Sequence, residues 1–329
     1  MSSVTISIIN YRTPSLTIAC LESVLDELRG GPGRPGVEGT VIVVDNASGD
    51  GSAEAIARWI EARPGAPVTL LRSPVNAGFS AGHNAALAQA GSEYVLILNS
   101  DTELRPGCLH TLLDAAAAEP SAGLLSARLE DPDGTPQTSC FRLPTPMSEL
   151  IRGAATGGVT RLLRRWDVPL GPAPAADRIE WTAFACVLVR RAMVEAIGPM
   201  DEGFFLYFED VEYCRRARRA GWQVRHVPQA RAVHHVGGST NVTAAGAETL
   251  RRPPWYYAAR SRYFYLAGGR VGLYAANLGW LAGRGLARLR LPFGKGLPPA
   301  AAAEHRDIWI NALRPSVPRP GPAGGGEAA

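Results

Sequence analysis

The sequence predicts an α/β fold, a mostly parallel central sheet with helices on both faces, followed by a basic helical C-terminal extension. Three observations predict it. Short apolar, β-branched runs alternate with helix-length segments through the first 120 residues, the order of parallel strands joined by crossover helices. Polar residues, Asn10, Asp45 and Asp101, stand at or just after the ends of three of those runs. The composition, 46% hydrophobic and 19% charged over 329 residues, supports a packed core and excludes a disordered chain.

The elements follow in order. Residues 4–10 (VTISIIN) are β-branched and apolar throughout and read as a buried strand. Pro14 and Ser15 open a helix to about Leu28, since proline is tolerated in a first turn. A Gly/Pro loop at 30–39 leads to a second buried strand, 40–44, ending at Asp45. A helix is expected over 52–62 and a short strand over 68–72. Residues 76–82 form a Gly-containing turn before a helix to about Ala90. YVLILN (94–99) is another buried strand, and 106–118 a helix. Residues 140–177, rich in Pro, Gly and Arg, read as a long excursion of the functional or mobile kind. Beyond it come a strand over 180–190, a helix over 191–197 closed by Gly198-Pro199, and an aromatic cluster that runs into a helix over 204–220. Short strands at 222–227 and 230–234 end this part. After residue 240 two basic, aromatic helical stretches are expected, 253–266 and 271–291, and a Pro/Gly/Ala-rich tail expected to be disordered. The chain thus divides into a catalytic-size domain, 1–240, an extension, 241–312, and a tail, 313–329.

Composition narrows the function classes. Residues 241–329 carry 12 Arg or Lys against 4 Asp or Glu, so of a formal net charge of +4 the first 240 residues hold −4. A basic tail on an acidic body points to an anionic surface. Basic residues are not interleaved with aromatics on any recognisable binding module, so no nucleic-acid partner is expected. A membrane leaflet fits better, with Arg260, Arg262, Arg270, Arg284, Arg288 and Arg290 flanking apolar stretches as on an interfacial helix; a plain surface helix reads equally well. The longest uncharged apolar run, 271–283, has 13 residues, where a bilayer span needs about 20. The opening MSSVTISIIN lacks a basic n-region and a cleavage site, and five cysteines form no CxxC pair. Those features fit a reducing cytoplasm, with peripheral contact at the inner face of the membrane.

Chemistry-bearing residues gather at strand ends and turns. Asp45 lies in VVDNAS, Asp101 in LNSDTEL, Glu209 and Asp210 in FFLYFEDVEYC, and His234 and His235 in AVHHVGGST. Each has a plain alternative: a turn or cap for the aspartates, the acidic first turn of a helix for Glu209-Asp210, a structural or exposed role for the histidines. As a set they offer more. A strand-end carboxylate and a histidine suit one hard divalent cation with open positions, which binds and neutralises a leaving diphosphate. A second carboxylate in an aromatic pocket suits removal of a proton from an incoming hydroxyl. A third suits a base or ribose. These are the parts needed to move a sugar from a nucleotide diphosphate sugar. The first turn, NYRTPS, carries no GxGxxG, and neither a Walker A motif nor a GxSxG elbow occurs, which weighs against a dehydrogenase, an NTPase and an α/β-hydrolase.

The motifs TISIINYRTP, VVDNASGDGS, NAGFSAGHNAAL and LNSDTEL resemble the donor half of glycosyltransferase family 2, and FFLYFEDVEYCRRARRAGW and HHVGGST its acceptor half. The resemblance covers about residues 4–240 and is nearest to bacterial rhamnosyltransferase-type members that build cell-surface polysaccharides. It implies a GT-A-type, Rossmann-like fold, an inverting mechanism and Mg2+ or Mn2+. By position it implies that Tyr11 and Asp45 contact base and ribose, and that Asn76, Gly78 and Asn84 form the loop facing ribose and diphosphate. Asn99 occupies the first position of the DxD-like element on the donor side. Asp101 is then the metal carboxylate, with His234 as the metal histidine and His235 as its competitor. Glu209 contacts the acceptor sugar, Asp210 is the general base, and Trp181 stacks on a sugar ring. Phe184-Ala185 replaces a small Gly-Ala pair and is expected to narrow the acceptor cleft. The implied partners are a nucleotide-diphosphate sugar, dTDP-rhamnose first and a UDP- or GDP-sugar second, and a saccharide or lipid-linked saccharide acceptor. A sugar-nucleotide-binding protein without turnover and a nucleotidyltransferase are the readings of other classes.

Overall fold

The apolar runs at the start of the chain lie side by side. The computed structural model describes residues 3–31, 34–235 and 250–317. In it β1 (Val4–Asn10), β2 (Gly39–Asp45), β3 (Val68–Arg72) and β4 (Tyr94–Asn99) are parallel neighbours in the order β3-β2-β1-β4. Helices α1 (Pro14–Arg29), α2 (Ser52–Glu61) and α3 (Phe79–Leu87) supply the crossovers. Register pairs Asn10 with Asp45 and Ile9 with Asn99, so the polar strand ends meet at one edge of the sheet. That edge is where open α/β sheets bind ligands.

Four more strands complete a mixed sheet. Beyond β4 come β9 (Cys186–Arg190), β6 (Ala122–Glu130), β10 (Gln223–His234) and β5 (Thr102–Leu104). β9 runs antiparallel to both β4 and β6, and β10 runs parallel to β6 and antiparallel to β5. The period-two alternation of apolar side chains fills two cores. Ile6, Ile8, Val41, Val43, Leu96 and Leu98 meet α1, α2 and α4 (Cys108–Ala118) on one face. Ile97, Leu124, Val187 and Val189 meet α3, α7 (Arg191–Ile197) and α8 (Glu209–Arg219) on the other.

Several expectations are corrected. The helix after β3 begins at Phe79, not after Gly82, because Asn76 Oδ1 accepts the Gly78 N–H and Gly78 turns the chain at φ +93°. The run 180–190 is two strands in two sheets. β8 (Trp181–Thr182) pairs with β7 (Cys140–Phe141), and residues 184–185 turn the chain into β9. The short strands expected at 222–227 and 230–234 are one, β10 (Gln223–His234); a register shift between Val227 and Arg231 absorbs Pro228, which has no N–H for the ladder. β6 was not anticipated, although it is buried in the middle of the sheet. The excursion is structured, with α5 (Pro146–Ala154) and α6 (Gly157–Leu162). All five cysteines are buried and free.

The extension is one long helix, α9 (Pro254–Arg288), broken at Gly268 and Gly269, whose φ/ψ are not helical. Its second half lies directly on α5 through three glycines. A Cβ on Gly153 would stand 2.2 Å from Trp280 O, and one on Gly283 2.2 Å from Leu150 O. A buried ionic cluster closes the contact: Arg260 donates to Glu149 (2.7 Å) and Asn277 (2.6 Å), and Arg152 donates to Glu149 and Glu304. Arg260 is therefore 1% exposed, and Arg262 lies on Asp201 (2.8 Å), so neither belongs to an outward basic face as the sequence led us to expect. No helix of the described residues is long and apolar enough to cross a membrane. Residues 313–317, placed in the tail, are described as turns; the rest of that expected tail, 318–329, lies outside the described residues.

Candidate active site

Three corners of the site can be built from the strand ends outward. At the first, Asp45 Oδ1 accepts the Asn10 amide (2.7 Å) and the Ser48 hydroxyl (2.6 Å), and its Oδ2 accepts the Ser48 N–H (3.2 Å). Arg12, at φ +59°, donates its N–H to Ser48 Oγ and its Nε to Ser48 O, both at 3.0 Å. Its guanidinium lies 5.1 Å from the Tyr11 ring centroid. Ser48 thus anchors both Asp45 and Arg12, and Tyr11 lies against the Arg12 guanidinium.

The loop before α3 joins this corner to the far half of the molecule. Asn46 Nδ2 donates to Asn76 Oδ1 (2.9 Å) and Gly78 O (3.1 Å). The Phe79 N–H donates to Phe205 O (2.8 Å), and a Cβ on Gly78 would stand 2.1 Å from that same oxygen. Asn84 departs from its expected place. Its Nδ2 donates to Met200 O (2.8 Å) and Glu202 Oε1 (3.0 Å), and its Oδ1 accepts the Met200 N–H (3.0 Å). With its amide so engaged, Asn84 ties α3 to the segment before α8 instead of presenting polar atoms to a donor.

The second corner lies where the turn after β4 leads into β5, beside the end of β10. The Asn99 N–H donates to Ala185 O (3.0 Å), holding the DxD-like turn against the start of β9. Asp101 is buried, and its Oδ1 is 3.6 Å from His234 Nε2. Gln137 orients the ring. Its Nε2 donates to His234 O (2.8 Å) and Asp131 Oδ1 (2.7 Å), which turns its Oε1 toward His234 Nδ1 (3.1 Å). Nδ1 then carries the proton and Nε2 turns a lone pair toward Asp101. Burial lowers the His234 pKa against the opposing charge of Asp101, which favours the neutral ring that a metal needs. His235 is placed differently, with its Nε2 2.8 Å from Glu103 Oε1 and only its backbone N–H on Asp101 O. The two histidines, not separable in the sequence, have different carboxylate partners. Among the described residues no three His, Cys, Asp or Glu side chains converge as a metal cluster. A carboxylate and a neutral imidazole fit a divalent ion that takes its other ligands from water and a diphosphate.

The third corner is a cavity of about 440 Å3. Phe141, Trp181, Tyr207, Phe208 and Tyr256 form aromatic walls, and Asp210 lies among them. Trp181 stacks on Phe141 at 4.2 Å and 17°, and its Nε1 donates to Arg142 O (2.8 Å). Tyr207 and Phe208 both sit at φ +68°, a left-handed conformation that bulky side chains rarely adopt. Such strain persists where surrounding structure imposes it, and here it aims the first turn of α8. Burial pushes the Asp210 carboxyl up to about 7, although backbone N–H groups oppose the shift. Glu209 is 6% exposed and does not line this cavity, unlike Asp210 beside it. Burial, and then the charge of Asp210, raise its carboxyl well above the usual range. Phe184 is also buried, edge-on to Tyr213 at 6.2 Å and off the cavity wall, so it does not narrow the cleft. Tyr256 and Gln137 were missed. Tyr256 stood in an aromatic run that reads as an ordinary helix face, and nothing near Gln137 in sequence points to residue 234.

Comparison with known proteins identifies the family and the fold. Residues 3–152 match the family model described as Glycosyl transferase family 2. An N-acetylglucosaminyl-diphospho-decaprenol L-rhamnosyltransferase of Mycobacterium tuberculosis is 32% identical over 259 residues, 73% of this chain and 78% of that protein. Rhamnosyltransferase WbbL of Escherichia coli is 24% identical over 48% of this chain and 61% of its own. Among solved structures, a mannosyltransferase of Pyrobaculum calidifontis in complex with GDP-Man and Mn2+ superposes with a TM-score of 0.53 at 17% identity, covering 89% of this chain and 76% of that one. S. aureus TarS 1-349 in complex with UDP gives 0.51 at 17%, covering 95% and 80%. These neighbours share the GT-A fold expected from the sequence.

Proposed function

The chain belongs to glycosyltransferase family 2, and we propose on that premise that it is an inverting, metal-dependent rhamnosyltransferase acting on a lipid-linked saccharide. One observation carries the mechanism: Asp210 stands on the wall of an aromatic cavity with its carboxyl pushed up to about 7. A general base works best when its pKa lies near the working pH. The acceptor sugar lies against the aromatic walls, Trp181 and Tyr256 among them. Asp210 takes the proton of its hydroxyl as that oxygen attacks the anomeric carbon in line with the departing diphosphate, and the configuration inverts. Tyr11 and Asp45 hold the base and ribose, Asn76 and Gly78 shape the loop over the diphosphate, and Asn99 backs the turn that carries Asp101. Asp101 and His234 would hold the divalent ion, which would supply neutralising charge to the leaving group.

The choice of L-rhamnose and of a lipid-linked acceptor is supported by what the mycobacterial relative is named for. The test is donor titration with dTDP-rhamnose, UDP-sugars and GDP-sugars, with and without Mg2+ or Mn2+, read by thermal shift and slow donor hydrolysis. Metal-dependent binding of dTDP-rhamnose alone is the expected result. Preference for a UDP- or GDP-sugar would discard the rhamnose assignment and keep the transferase. Asp210→Asn should retain donor binding and lose about 10²- to 10⁴-fold in turnover, the share of a general base. Near-full turnover in that variant would remove Asp210 from the mechanism.

A further inference from the structure

The exposed apolar side chains are unevenly spread. Of the 14 large ones among the described residues, 11 lie between Leu266 and Val317. Scattered apolar residues need no explanation, but a concentration does. Its densest part is the end of α9 and the turn after it. Leu289 is 65% exposed, Leu291 50% and Phe293 80%, with Leu286 and Leu297 exposed on either side. The helix ends at Arg288, and a short 3-10 turn at Leu291–Phe293 is followed by Gly294 at φ +70°. The apolar side chains therefore stand exposed around the C-terminal tip of α9.

Cations alternate with them. Arg288, Arg290 and Lys295 lie in the same stretch, and none has a carboxylate partner among the described residues. From Arg270 to Ala303 the sequence contains no Asp or Glu at all. At the root of the tip a second cavity, of about 450 Å3, is lined by Arg284, Arg288, His305 and Trp280, together with Glu304, which Arg152 and Arg252 neutralise. Three other arginines of the extension are held by carboxylates: Arg251 pairs with Asp307, Arg260 with Glu149 and Arg262 with Asp201.

We infer that residues 286–297 form a membrane-docking tip for an anionic lipid leaflet. The charge decides the occupant. A surface with apolar side chains between cations, and no carboxylate, complements a layer whose head groups are anionic and whose interior is apolar. The leucines and Phe293 enter the acyl boundary, and Arg288, Arg290 and Lys295 meet phosphate groups. The docking rests on this surface alone; its use, presenting a lipid-linked acceptor to the cavity that α9 also lines through Tyr256, rests on the function proposed above.

The test is flotation of the full-length protein with vesicles of phosphatidylcholine and of equal parts phosphatidylcholine and phosphatidylglycerol, at low and high salt. Wild type should bind the anionic vesicles at low salt and not the neutral ones. Each Lys or Arg near such a surface contributes about 1 kcal/mol, so replacing Arg288, Arg290 and Lys295 by Gln should weaken binding about a hundredfold. The double variant Leu291→Glu, Phe293→Glu should lose it. Circular dichroism and metal-dependent donor hydrolysis, run beside it, should match wild type in both variants. Wild type that fails to float, or variants that float as well as wild type, would overturn the inference and leave the transferase reading intact. Floating protein that hydrolyses no donor would do the reverse.

Discussion

At the scale of single residues, the site divides into side chains that face ligands and side chains that hold them. Asp210 and Glu209 are adjacent in sequence and opposite in environment. Asp210 lines the cavity; Glu209 does not, and burial, then the charge of Asp210, raise its carboxyl well above the usual range. The acid limb of kcat/KM belongs to the member that titrates first. A base is active only when ionised, so with its carboxyl pushed up to about 7, the rate should fall tenfold per pH unit below that point. Glu209→Gln should leave the midpoint of that limb in place, because burial and not the charge of Glu209 raises Asp210. A midpoint that moves toward the ordinary carboxylate range in this variant would show that Glu209 ionises first. Identity was legible at this scale, since EDVEY offers both carboxylates. Which one faces the cavity was not, because that depends on two preceding residues at φ +68°. The same holds for His234 and His235, which Gln137, 97 residues away, tells apart.

At the scale of elements, strands with continuous apolar runs were legible, and those with broken ones were missed or split. VTISIIN and YVLILN declare themselves by composition, and both lie where expected. β6 contains Gly123, Ser126 and Arg128, and β10 contains Pro228, so their pattern is interrupted although both are interior strands. Tertiary pairing overrides local propensity there. The join between the loop before α3 and the segment before α8 is of the same kind. It depends on Gly78 being a glycine, at φ +93° with Phe205 O 2.1 Å from where a Cβ would be. Gly78→Ala must therefore move the backbone of residue 205, five positions before Asp210. Strain at such a position is of order 1–3 kcal/mol, before any loss of the Phe79 to Phe205 hydrogen bond. The expected result is a lower Tm together with a lower kcat, read by thermal melts and turnover at saturating donor. A normal kcat with a lower Tm would show that the join stabilises the fold without setting the base.

At the scale of the whole molecule, the question is whether the extension is an appendage or part of the catalytic body. The sequence drew a boundary at residue 240, where the charge balance and composition change and the family resemblance ends. The packing runs across it, since α9 lines the cavity, lies on α5 through glycines and shares the cluster of Glu149, Arg152, Arg260 and Glu304. Burial alone would raise the Glu149 carboxyl, but Arg152 and Arg260 outweigh it and lower it to about 2. A carboxyl lowered on folding stabilises the protein at pH above its unfolded value near 4.5, and that contribution is lost as pH falls toward 2. The amount is on the order of 3 kcal/mol. Removing the charge leaves two buried guanidiniums with less compensation, a change that typically costs about 3–5 kcal/mol. Glu149→Gln should therefore lower the Tm at pH 7 and flatten its dependence on pH below about 5. If extension and body are one cooperative unit, the variant melts in a single transition at a lower temperature. A first transition confined to the extension, with donor binding kept until a second, would show that α9 is an independent unit laid on a self-sufficient domain.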